Sequence, residues 1–366
     1  MGESPSYFSA AIPRLSFFQT DTSPNAFTQT AGATLLSNGG QIAAPAVTLT
    51  GGTFTVNGGT TGSVLAVTSG GAGLTFGGTV SPTITLDSSA SVPGRLLLTN
   101  NVTVDNTLTS GTAQILSGGG GANPGAGTFS VNNGAAAVDL RVSASLQNGA
   151  LTKSGAGTLA LTGANTFTGG TTVSAGVLEA AGSNALGGTS GVIINTGGTL
   201  LLSGVGDRVN DAAGITLAGG TLSTGGLSET VGTLTLSATS VIDMGAGSSV
   251  LRFADSHLAT WVGTLRIYNW SGIQNFGGGT DQLFFGDGSG IGLEPGQLAQ
   301  IKFYSDAGTT ILPFAPGFSA FTGGFGEVVP VPEPSGVIAA LALFGLAAWR
   351  ERRTGAVGRR EAHATF

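Results

Sequence analysis

Hydrophobic and polar positions alternate along most of this chain, and the alternation breaks and restarts many times. The clearest stretch is residues 151–204. Within it, Thr158, Leu159, Ala160, Leu161 and Thr162 follow a period of two: the leucines share one face and the other three share the opposite face. Gly163, Ala164 and Asn165 end that strand with turn residues. Strands are then predicted at 171–174 and 177–180. Similar runs occur at residues 46–50, 53–56, 64–67, 74–76, 83–86, 95–98 and 101–104, and again at 128–131, 138–142, 214–217 and 232–236. Gly pairs or Asn-Gly separate several of them.

Strands this short bury little on their own, whereas stacked coils share a core. Leu178, Leu200 and Leu222 follow one another at 22-residue steps, the last two in the same Gly-Gly-Thr-Leu context. A step of that size suits one coil of a β-solenoid with equivalent leucines stacked inside. The solenoid is expected over residues 31–249, after an irregular, proline-interrupted segment at 1–30. Near residue 250 the composition shifts towards Trp, Tyr and Phe. A solenoid needs an end cap, so residues 250–328 read as that cap, with a short helical turn predicted over 293–301.

Residues 151–188 resemble the autotransporter-associated β-strand repeat. Members of that family are parallel β-helices on bacterial surfaces. The resemblance therefore implies an all-β chain, a right-handed parallel β-solenoid with a β-rich C-terminal cap. It carries no catalytic residues.

Composition narrows the function. The chain has 366 residues, 65 of them glycine; 40% of residues are apolar and only 9% are charged. Regularly spaced apolar residues favour ordered β structure over a flexible linker. Without cysteine there are no disulfides or thiolate metal sites. A net charge of -6 and the lack of a basic patch interleaved with aromatics argue against nucleic acid as a partner. No cofactor or metal motif is visible, and the two histidines, His257 and His363, are far apart.

The C-terminal stretch has a different character. Val331, Pro332, Glu333, Pro334 and Ser335 precede an apolar run of 14 residues at 336–349. Arg350, Arg352 and Arg353 follow, and a basic tail runs over 354–366. The run is shorter than the ~20 residues of a full span, but it is the most membrane-like segment of the chain and is expected to form a hydrophobic helix. Its one-sided arginines would hold that end in the cytoplasm. Residues 329–353 resemble the PEP-CTERM sorting signal, which joins a Pro-Glu-Pro motif, a short hydrophobic helix and a basic end in that order. The resemblance implies export, a transient inner-membrane anchor, and processing at the motif by an exosortase-type membrane protease. It also implies a link to extracellular polysaccharide. The first 30 residues lack the basic start and apolar run of ~7–15 residues that mark a secretory signal. This leaves two readings: another export route, or a translation start upstream of Met1.

Enzymatic readings find little support. Asp281 and Asp287 come nearest to a carboxylate pair, but in a Gly-rich stretch they read as turn residues, with calcium binding and then catalysis as the alternatives. Asp255, Ser256 and His257 are sequence neighbours, which does not make a triad. Residues 118–127 form a Gly-rich loop without the helix and Lys-Ser/Thr pair of a phosphate cradle. Trp261 and Trp270 read as packed aromatics of the cap, with sugar stacking as the alternative. A translocator barrel would require ten-residue alternating strands at the C-terminus, which the apolar run and arginines replace. The expectation is thus a non-enzymatic surface or matrix protein. The alternatives are a polysaccharide-binding adhesin and, last, a β-helical polysaccharide-degrading enzyme, which would need several of Asp87, Asp105, Asp139, Asp281 and Asp287 in one cleft.

Overall fold

The computed structural model describes residues 8–10, 14–17, 20–21, 26–60, 62–87, 92–118, 123–124, 127–286, 292–313, 315–318 and 326–331. They form a right-handed parallel β-solenoid. Successive strands step from face to face around the axis, and each pairs in parallel with its equivalent one coil away. One face is an 11-stranded sheet from Phe8–Ala10 to Leu234–Ala238, and the second is a 13-stranded sheet from Arg14–Phe17 to Ile301–Phe303. The third face is divided. A 5-stranded sheet covers it from Thr20–Asp21 to Asn123–Pro124, and a 3-stranded sheet of Glu229–Val231, Ser249–Phe253 and Asp281–Phe285 covers it later.

The period-two pattern explains the core. On the second face Leu140, Leu159, Leu178, Leu200, Leu222, Ile242, Ile267 and Phe303 pair in register, one per coil. All are buried. Each such side chain contributes roughly 1.5–3 kcal/mol by leaving water. The 22-residue leucine step is therefore a true stack, but the step is not constant. Leu159 to Leu178 is 19 residues, and Ile84 to Ile115 is 31. Only the strands must keep register, so length varies at the corners. There the backbones come close. Gly176, with φ of 65°, leaves no room for a Cβ against the carbonyls of Gly155 and Gly157 one coil below.

The first face carries an ordered exterior. Its outward central positions are Thr28, Thr48, Thr75, Thr103 and Ser130, paired in register. After a two-residue shift the series continues as Thr152, Thr172, Ile193, Thr216 and Thr235. Branched Cβ atoms suit extended backbone, which favours Thr here.

The stack extends beyond the limits read from the sequence. Strands Phe8–Ala10, Arg14–Phe17 and Thr20–Asp21 already pair with the next coil, inside the segment expected to be irregular. Strands this short need few ladder bonds, and Pro5, Pro13 and Pro24 fall outside them. At the other end the parallel ladder continues past residue 250 to Phe303, because the aromatic residues occupy the same inward positions. Closure comes from the short helix Pro295–Leu298 and the antiparallel hairpin Ala315–Phe318 with Val328–Val331. The helix lies within the predicted turn. Among the described residues no helix is long and apolar enough to cross a membrane. The predicted span at 336–349 lies outside the described residues.

On the third side, between its two sheets, side chains take over the strand's task. Asn165 is buried; its Oδ1 accepts from the Leu146 amide and its Nδ2 donates to the Ala185 carbonyl, both at 2.7 Å. One amide side chain thus links three coils and satisfies buried backbone groups.

Candidate functional site: a groove where the third face restarts

The sequence candidates do not converge. Asp281 is buried, and its carboxylate accepts from the Ser249 amide and from the Ser271 amide and hydroxyl. Asp287 lies outside the described residues. Asp87 accepts from Asn57, Asp105 from Thr107, and Asp139 from the Gly134 and Thr158 amides. These acids tie their own corners together. Asp255 does bond His257, Oδ1 to Nδ1 at 2.7 Å, but Ser256 is buried; its hydroxyl donates to the Ala254 carbonyl and accepts from the Leu234 amide. A nucleophile facing the imidazole is not formed.

Trp261 donates to the Leu234 carbonyl at 3.0 Å and packs edge-on against Phe285, and Trp270 packs against Phe303. Both are core residues, so neither offers a stacking platform. Of the Gly-rich stretch at 118–127, the strand Asn123–Pro124 pairs with Leu97 and Leu98. Val331 ends the last hairpin strand. Pro332, Glu333, Pro334, Ser335, Arg350, Arg352 and Arg353 lie outside the described residues.

Two buried cations escaped the sequence reading. Lys153 takes an inward place in the first face, between Phe129 and Val173, and is 0% exposed. Its Nζ donates to the carbonyls of Ser154, Gly155 and Ala175 at 2.7–3.1 Å. Burial lowers its pKa to about 8, and the Asp139 carboxylate pulls it back up. Arg208 is the second. Its guanidinium donates to the carbonyls of Ser203, Gly204 and Ser228 and pairs with Glu229 at 3.1 Å. Each cation collects corner carbonyls that would otherwise lack donors in the interior.

Glu229 opens the 3-stranded sheet and points inward at the level of Leu251 and Leu283. Burial raises its pKa to about 7, and a hydrogen bond with the Asp207 side chain adds to the rise, against the pull of Arg208. A groove runs over this restart. One end is lined by Asp207, Asp211, Ser228 and Glu229. Through Asp211, Thr230 and Arg252 it continues into a cleft of about 620 Å³ that reaches Asp255 and Gly286. Thr230, Arg252 and Phe284 sit side by side in register, with the Arg252 guanidinium 3.9 Å from the Phe284 ring centroid. The groove is thus open, crosses successive coils and carries more acids than bases. Among the described residues no cluster of three or more potential ligands could hold a metal ion. What the groove offers chemically is a row of hydrogen-bonding and charged side chains, Asp211, Thr230, Arg252 and Asp255.

Residues 151–180 match the passenger-associated-transport-repeat family. The matched segment contains Lys153, the Leu159–Leu178 step and Gly176, so it covers one full turn of the stack. No curated protein and no solved structure matches the chain.

Proposed function

We propose that this chain is an exported structural protein that displays its solenoid at the bacterial surface or in the extracellular matrix. In this reading residues 336–349 anchor it transiently in the inner membrane, and an exosortase-type protease processes it at Val331, Pro332, Glu333, Pro334 and Ser335. One observation carries the reading. The motif continues directly in the chain from the strand Val328–Val331, which pairs antiparallel with Ala315–Phe318 at the end of the stack. The transport repeat at residues 151–180, within a parallel stack, supports surface display. Mass spectrometry of the mature exported protein tests it. Loss of sequence after about Pro334 is expected, and an intact C-terminus on exported protein would count against it.

A second reading, a polysaccharide-binding adhesin, is favoured by the groove at Asp211, Thr230 and Arg252. The full chain on a glycan array, compared with Arg252→Ala, tests it. Absence of glycan binding, or binding that the substitution leaves unchanged, removes this reading.

A further inference from the structure

Charge is distributed unevenly over the solenoid. In the 13-stranded face the strands carry Arg14, Asp87, Arg141, Glu179, Asp243, Arg266 and Lys302. Among the described residues of the 11-stranded face Lys153 is the only charged strand residue, and it is buried. The exterior of that face is Thr and Ser in nine of ten successive central positions, from Thr28 to Thr235. A surface with no strand charge opposes a copy of itself with no like-charge penalty.

The exception in the ladder is Ile193, 43% exposed. It forms one wall of a dent of about 230 Å³ whose lining includes Gly170, Thr172, Gly191, Gly214 and Thr216. Gly191 and Gly214 are paired in register, so the floor is backbone. A branched apolar knob next to a glycine-floored dent is self-complementary: under a two-fold axis each Ile193 enters the other copy's dent.

We infer that the 11-stranded face is the surface through which two copies of this chain associate. Its size suffices. Eleven strands at about 4.8 Å spacing, each roughly 12 Å long, give on the order of 600 Å² per copy. Both copies together bury about 1,200 Å², the lower bound of a specific interface. This rests on the structural reading above, since a matrix protein needs contacts between copies. Its test is independent of processing, so a failed cleavage result and a failed association result are told apart.

The test is sedimentation velocity on the full chain across a concentration series, at low and high salt. Wild type is expected to self-associate, with little change in salt because the contact carries no ion pairs. Ile193→Asp is expected to weaken association about tenfold or more, as loss of a central anchor does. Thr103→Lys, on the same face but far from the dent, should weaken it too. Arg141→Glu, on the other long face, should leave it unchanged. The C-terminal tail is common to all four proteins and cancels from the comparison. All three replaced side chains lie on the outer surface, and circular dichroism verifies that each variant is folded. A wild type that stays monomeric throughout overturns the inference. So does association that Ile193→Asp leaves intact, or that Arg141→Glu abolishes equally.

Discussion

Arg208 Nη1 meets Glu229 Oε2 at 3.1 Å inside the stack, with 4% and 1% of the two side chains exposed. They are 21 residues apart in sequence, about one coil. Removing one partner strands the other in the interior. Glu229→Ala is therefore expected to lower stability by about 3–5 kcal/mol in urea unfolding. Replacing both, Arg208→Met with Glu229→Leu, should be distinctly milder than the single change. A double-variant loss equal to the sum of the two single losses would show that the pair acts as two independent residues.

Glu229 also makes a statement about pH. Its folded pKa is raised to about 7 from 4.5, chiefly by burial. Between those values the folded chain holds a proton that the unfolded chain has lost. Its contribution is therefore complete below pH 4.5 and fades as pH rises through 7. Stability should fall by on the order of 1–2 kcal/mol across that window. In Glu229→Gln that slope should flatten. A variant as steep as wild type would assign the titration to another group.

Lys153 runs the opposite way. Desolvation lowers it from 10.5 to about 8, so between those values the unfolded chain binds the extra proton. Its contribution is present above pH 10.5 and lost as pH falls through 8. Lys153→Met removes the donor to three carbonyls and should destabilise by about 1–3 kcal/mol near neutral pH. The gap between wild type and variant should widen as pH rises from 8 to 10.5. Denaturant melts of both proteins at several pH values measure this, and a constant gap contradicts the assignment.

The leucine ladder gives a direct mutational contrast. Leu200 is fully buried between Leu178 and Leu222, whereas its neighbour Thr199 faces outward. Leu200→Ala is expected to destabilise by about 2–5 kcal/mol, because the backbone ladders above and below limit collapse into the cavity. Thr199→Ala should stay within about 0.5 kcal/mol. Similar values for the two would mean that the ladder does not carry the stability.

The strands were legible because period-two alternation is a local signal. The Leu178–Leu200–Leu222 stack was legible because three coils happen to share one length. Coil length elsewhere varies, so the start at Phe8 and the continuation to Phe303 could not be read from a fixed step. Lys153 escaped because a lysine in a strand reads as outward. Its spacing of two from the buried Leu151 was the available signal. Arg208 and Glu229 escaped because their proximity depends on stacking. Opposite charges one coil apart would have marked them. The groove had no local signature, since Asp207, Asp211, Thr230 and Arg252 are brought together by three separate coils. The fate of Asp281, buried and fully bonded, shows the same limit: a Gly-rich context does not reveal which turn residue folds inward.

The variable coil length within a constant register has a mechanical consequence. Ladder hydrogen bonds between coils point along the solenoid axis, so tension applied at the two ends loads them head-on, one coil at a time. Such a rod does not snap as a unit. It pays out slack in instalments of one coil, from 19 to 36 residues each, while the coils not yet peeled keep their shape. In a rod built this way, the corners that tolerate extra residues set how much length each step releases.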